Sequence, residues 1–296
     1  MGGFTTTRCV TGAFSRKLSP MYTQLQLRDS ARPPVTMTTL QKMRADGVPI
    51  AALTCYDASF AVLLDEADVD LVLVGDSLGM VIQGHDTTVP VTVDDIIYHT
   101  RAVARGLHRP FLVADLPFMS YTSREQALAN SVRLMQEGGA RMVKLESGAE
   151  QLRIVEFLAG HDIAVCAHLG LKPQSVHKTG GFRVQGREQL AADLILKEAG
   201  DLQSAGADIV LLECIPNGLG KAITEALEVP VIGIGAGSAP GGQIQVLYDI
   251  LDITSGRKPR FVRNFMAGAG SPLAALKAYV AAVKSREYPA PEHSFS

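Results

Sequence analysis

The sequence predicts one α/β domain folded as a (β/α)8 TIM barrel, and three observations carry that prediction. Short β-branched and aliphatic runs alternate with helix-like segments from Thr38 onward. Those runs are nearly continuous in apolar residues, as parallel strands covered on both faces are. A strand-plus-tip unit also recurs: Gly139-Ala140-Arg141-Met142-Val143-Lys144-Leu145-Glu146 and Gly206-Ala207-Asp208-Ile209-Val210-Leu211-Leu212-Glu213 share the pattern G-A-x-x-V-x-L-E. Each unit is a helix stop, a strand and a carboxylate at its tip. A doubly wound open sheet would show the same alternation, but eight candidate strands suit a closed barrel.

In chain order, the candidate strands are 50–56 (IAALTCY), 70–76 (DLVLVGD), 111–116 (FLVADL), 142–146 (MVKLE), 164–168 (AVCAH), 209–214 (IVLLEC), 231–235 (VIGIG) and, least regular, 245–251 (QVLYDIL). The second and third carry Asp76 and Asp115 where the G-A-x-x-V-x-L-E units carry Glu146 and Glu213, so the same slot is filled four times. Residues 1–37 are read as an extension and 38–296 as the catalytic barrel. The first 34 residues hold Arg8, Arg16, Lys17, Arg28 and Arg32 against one acid, Asp29. Such a segment fits a mitochondrial transit peptide or a start codon assigned upstream of Met21 or Met37. The second option, with a cytoplasmic protein, is preferred.

At 296 residues and 47% hydrophobic, the chain can bury one large core. Its formal charge of −2 supplies no basic field for a nucleic-acid backbone or an anionic membrane. Every apolar run is broken short of the ~18 residues that a membrane-spanning helix needs. Small-molecule chemistry is the class that remains. Cys9, Cys55, Cys166 and Cys214 lie far apart, without zinc-ligand spacing, which fits a reducing compartment and core cysteines.

In a barrel, all strand tips open on one face, and that face carries the active site. Asp76, Asp115, Lys144, Glu146, His168 and Glu213 therefore form one ring. Four carboxylates around one lysine are costly unless a cation neutralises them. An oxygen-rich site without a Cys–His cluster suits Mg2+, which could chelate a 2-oxo acid and stabilise its enolate while a remaining carboxylate acts as base. A lone Asp after a strand is also a common helix N-cap, and His168 fits a structural role as well as substrate contact. The run 233–237 reads as a tight turn. The basic loop 180–187 reads as either a lid over an anionic substrate or an ordinary solvated loop.

Several segments resemble the ketopantoate hydroxymethyltransferase family, in the family's order: Val74-Gly75-Asp76-Ser77-Leu78-Gly79-Met80, Gln83-Gly84-His85-Asp86, Ala114-Asp115-Leu116-Pro117-Phe118, Val143-Lys144-Leu145-Glu146, Ala167-His168-Leu169-Gly170, Pro173-Gln174-Ser175, Val184-Gln185-Gly186-Arg187 and Leu212-Glu213-Cys214-Ile215-Pro216. The resemblance implies a barrel of the phosphoenolpyruvate/pyruvate-binding type. It also implies transfer of a hydroxymethyl group from 5,10-methylenetetrahydrofolate to 3-methyl-2-oxobutanoate, on the route to pantothenate, by a homo-oligomer that is often a decamer. By the same resemblance, Asp76 and Asp115 are Mg2+ ligands and Glu146 joins the metal site directly or through water. Ser77, Asp115 and Lys144 match substrate-contacting positions, and Glu213 matches the general base. A relative of isocitrate lyase is the rival enzyme, but its K-K-C-G-H motif is absent. A catalytically dead barrel is the non-enzymatic rival, which the intact tip acids oppose.

Overall fold

The structure, a computed structural model, describes residue 1 and residues 33–296. Most of the basic leader, including Cys9, lies outside the described residues. Eight parallel strands close into a barrel in sequential order. They are β1 (Ile50–Thr54), β2 (Leu71–Val74), β3 (Phe111–Asp115), β4 (Met142–Glu146), β5 (Val165–Gly170), β6 (Ile209–Glu213), β7 (Val231–Ile234) and β8 (Gly242–Gln245). The first seven fall where the apolar runs predict them.

The eighth does not, and the expected strand over 245–251 is corrected. The strand ends at Gln245, and Leu247–Ile250 is a short helix. Leu247, Ile250 and Leu251 are the buried residues there, at helical rather than alternating spacing. Closure against β1 sets the strand instead, with Ile50 opposite Gly242. A Cβ at Gly242 would lie 2.8 Å from the Ile50 carbonyl oxygen, so a larger residue would wedge the seam open. The connection between β7 and β8, residues 235–241, carries no helix, so this unit departs from strict β/α alternation.

The wall sorts its side chains with period two. Ala51, Leu53, Val72, Val143, Val165 and Val210 face outward into a layer shared with the surrounding helices. Ile50, Phe111, Val113, Met142, Ile209 and Leu211 belong to a second buried cluster that fills the interior. Val35 and Leu40 join that cluster from below, and Val35 N donates to Arg109 O at 2.8 Å. Val35 and Met37, ahead of the expected domain start, thus already pack on the barrel floor. The floor helix Met37–Ala45 begins with a Thr36–Thr39 capping box. No helix among the described residues is long and apolar enough to cross a membrane.

Candidate active site

The interior rows explain how the chain builds the site. Along β4, Met142 packs in the interior, so Lys144 and Glu146, two and four residues on, point the same way nearer the C-terminal mouth. The same phase carries Asp115 above Phe111 and Val113 on β3, His168 above Cys166 on β5, and Glu213 above Ile209 and Leu211 on β6. Each strand is apolar low in the barrel and polar at its tip. Asp76 and Ser77 follow β2 after one residue, Gly75. Asp76, Asp115, Lys144, Glu146 and His168 are 1–5% exposed.

None of the four acids caps a following helix. The N-caps after β2 to β6 include Ser77, Thr92, Ser123, Gly148 and Pro216 instead. The carboxylates are held by one another's neighbours. Lys144 Nζ donates to Asp115 Oδ2 at 2.6 Å, and Asp76 N approaches the same oxygen at 3.3 Å. Gln174 Nε2 donates to Asp76 Oδ2 at 2.8 Å, and Gln174 N to Glu146 Oε1 at 2.9 Å. Ser77 Oγ lies 2.8 Å from the buried Tyr56 hydroxyl.

Burial pushes the Asp115 carboxyl up to about 7, with Asp76 adding to the rise and the Lys144 ammonium opposing it. Burial and the Asp76 carboxylate raise Glu146 well above the usual carboxylate range. Glu213 is raised to about 7 by burial, against the pull of Lys144. Burial drives His168 far below an ordinary imidazole, and the Lys144 charge adds to that, so the ring is neutral at physiological pH. Its Nε2 lies 3.3 Å from Glu213 Oε2, but neither ring nitrogen makes a hydrogen bond, so the short distance is a contact and not an ion pair.

Backbone crowding holds Glu213 in place. A Cβ at Gly170, which has φ +91°, would stand 2.2 Å from the Glu213 carbonyl oxygen, so β5 and β6 can come together here only at glycine. Cys214 adopts φ +48°, a costly conformation for a side-chain-bearing residue, and its carbonyl accepts from Gln185 N at 2.9 Å. The C-terminal half of loop 180–187 is therefore tied beside the site, while Arg183 and Arg187 are exposed. The run 233–237 ends β7 at Ile234 and turns at Gly235, which packs against Phe261 and Phe295. Cys55, Cys166 and Cys214 are free and buried, and burial raises the first two thiols to about 12, consistent with inert core residues.

Among the described residues, no three or more His, Cys, Asp and Glu side chains gather around one metal position. A two-carboxylate site is compatible with the geometry. Asp115 Oδ1 is buried without a hydrogen-bond partner, beside Asp76 in an oxygen-only donor set, and Mg2+ typically takes one or two carboxylates plus water and substrate oxygens. Glu146 has one oxygen engaged by Gln174 N, as Asp76 has one engaged by Gln174 Nε2. Sequence reasoning missed Gln174 as a site residue, together with Tyr121 and Tyr56. The only signal for Gln174 was its place in the Pro173-Gln174-Ser175 segment.

A family model described as ketopantoate hydroxymethyltransferase matches residues 34–291. The 3-methyl-2-oxobutanoate hydroxymethyltransferase of Alkalilimnicola ehrlichii is 59% identical over 264 residues, covering 89% of this chain and 95% of that protein. The enzyme of the same name from Halorhodospira halophila is 57% identical over 88% of this chain and 94% of its own. Among solved structures, phosphonopyruvate hydrolase in complex with oxalate and Mg2+ aligns with TM-score 0.55 at 15% identity, over 71% of this chain and 80% of its own. 2,3-Dimethylmalate lyase, a member of the PEP mutase/isocitrate lyase superfamily, aligns with TM-score 0.52 at 16% identity, over 70% and 79%. At that identity the two structures share the fold with this chain.

Proposed function

The chain belongs to the ketopantoate hydroxymethyltransferase family, and from that premise we propose that it transfers a hydroxymethyl group from 5,10-methylenetetrahydrofolate to 3-methyl-2-oxobutanoate, giving 2-dehydropantoate. The observation that carries the chemical reading is the buried ring of Asp76, Asp115, Lys144 and Glu146, with Glu213 at the mouth of the same barrel. Asp76 and Asp115 would hold Mg2+, with Glu146 reaching it directly or through water. Bound there, the cation would supply Lewis-acid stabilisation for negative charge developing on the keto oxygen.

In this reading Glu213 accepts the single proton on C3 of the oxo acid. Its location at the mouth, with 16% of the side chain exposed, leaves it accessible from the cavity, and its raised pKa makes it a competent base near neutrality. The C3 carbanion equivalent then forms a bond to the folate-borne methylene carbon as its bond to one folate nitrogen breaks, that nitrogen taking the proton removed from C3. Water supplies the hydroxyl as the second C–N bond breaks and its other proton goes to the second nitrogen, giving 2-dehydropantoate and tetrahydrofolate. Lys144 opposes the rise of the Asp115 carboxyl and presents positive charge to the substrate carboxylate, and Ser77, fixed by Tyr56, offers a hydroxyl beside it. Neutral His168, with both ring nitrogens free, has hydrogen-bonding capacity for the substrate.

An assay with both substrates and Mg2+ tests the proposal, with 2-dehydropantoate the expected product. The kcat/KM profile should carry an acid limb. The Glu213 carboxyl, raised to about 7, is increasingly protonated below that pH and then cannot take a proton, so activity should fall about tenfold per unit as pH drops below about 7. Absence of product under any condition would reject the proposal. A flat profile from pH 5 to 8 would reject Glu213 as the base.

A further inference from the structure

The turn Pro173–Ser175 places one 5%-exposed side chain, Gln174, between two of the acids, and none of its polar atoms is idle. The two hydrogens on Nε2 serve two acceptors, Asp76 Oδ2 at 2.8 Å and Leu116 O at 3.1 Å. Its Oε1 accepts from the Tyr121 hydroxyl at 2.6 Å. Its backbone N–H donates to Glu146 Oε1 at 2.9 Å. A carboxamide has nearly the same shape when flipped, so hydrogen-bonding partners alone decide its orientation. Flipping this one would set Oε1 against a carboxylate and a carbonyl, neither of which can donate.

We infer that Gln174, locked by Tyr121, is a positioning residue that fixes the Asp76 and Glu146 carboxylates in the orientation in which the site receives its cation. The inference rests on the proposed reading that Asp76 and Asp115 hold Mg2+. With Oδ2 of Asp76 committed to Gln174, the other oxygen of that carboxylate stays free. With Oε1 of Glu146 tied to the Gln174 backbone, that carboxylate is held in one orientation. Both effects come from one short turn that contains no metal ligand, and Tyr121 reaches it from the segment after β3. Groups that orient metal ligands in this way change metal affinity about 10–100-fold when removed.

The test is Mn2+ binding to the purified full chain, read from the EPR signal of free Mn2+, without substrates or turnover. Gln174→Met keeps the length of the side chain and removes both its donors and its acceptor. In the folded variant it should weaken Mn2+ binding at least about tenfold. Tyr121→Phe removes one oxygen and leaves Gln174 Oε1 without its donor, so the carboxamide is held only through its two Nε2 bonds. It should weaken binding about threefold or more, and it carries the test alone if Gln174→Met does not fold. Wild-type Mn2+ affinity in either folded variant overturns the inference. Failure of the wild type itself to bind Mn2+ would overturn the metal reading, and the inference with it, and differs visibly from a failure confined to the variants.

Discussion

Glu213→Gln is expected to lower turnover about 10²-fold or more while Mg2+ and oxo-acid binding stay close to wild type. The substitution keeps the shape of the side chain and removes only its capacity to accept a proton. Its environment should barely respond, because Gly170 still admits the Glu213 backbone and the His168 contact involves no hydrogen bond. The same substitution should stabilise the protein. Between pH 4.5 and about 7 the unfolded chain has lost this proton while the folded protein retains it, so native stability declines as pH rises through that window. Above about pH 7 the penalty is complete and constant. Gln carries no such penalty, so the variant should gain on the order of 1–3 kcal/mol at pH 8 and little at pH 4. Denaturant unfolding at both pH values, alongside steady-state kinetics, checks the two effects. Wild-type turnover would reject the base assignment, and equal stability at pH 8 would reject the burial argument behind it.

Lys144→Ala is expected to produce the largest loss of stability in the metal-free protein. The ammonium is 5% exposed and 2.6 Å from Asp115, and it also faces Asp76 and Glu146. Its removal leaves three buried acids with no internal cation, and breaking a buried pair from one side costs about 3–5 kcal/mol. Mg2+ should restore more stability to this variant than to the wild type, because the ion then compensates charge that the lysine otherwise offsets. Turnover should remain poor, since the substrate carboxylate loses its positive partner. Chemical denaturation in chelator and in excess Mg2+ measures the difference. A metal-free stability within about 1 kcal/mol of the wild type would contradict the buried-ring description.

Much of this architecture is legible in the residues. Seven strands announce themselves because both faces of a barrel wall are buried, so 111–116 and 209–214 read as apolar runs. The ring is legible for a related reason: period two forces Lys144 and Glu146 to the side that Met142 occupies, and the closed parallel topology brings distant tips together. The eighth strand is hidden because its fixing contact, Ile50 against Gly242, lies across the barrel seam and not in the local pattern. A helical apolar spacing at Leu247, Ile250 and Leu251 then mimics the missing run. Gln174 and Tyr121 are hidden for a different reason. They act from loops, through an amide and a phenol whose partners come from three separate connections, and loop residues carry no periodicity to mark them. The N-cap alternative for the acids could be dismissed only once the true caps, such as Thr92 and Ser123, were visible.

The central claim is that this barrel enolises a 2-oxo acid with a cation and a carboxylate base before any one-carbon unit arrives. Exchange of the C3 proton of 3-methyl-2-oxobutanoate in deuterated water, followed by NMR without folate, isolates that step. The predicted result is Mg2+-dependent loss of the C3 proton signal with the wild type, at least about 10²-fold slower with Glu213→Gln. No exchange by the wild type in saturating Mg2+, or equal exchange by the variant, would contradict it.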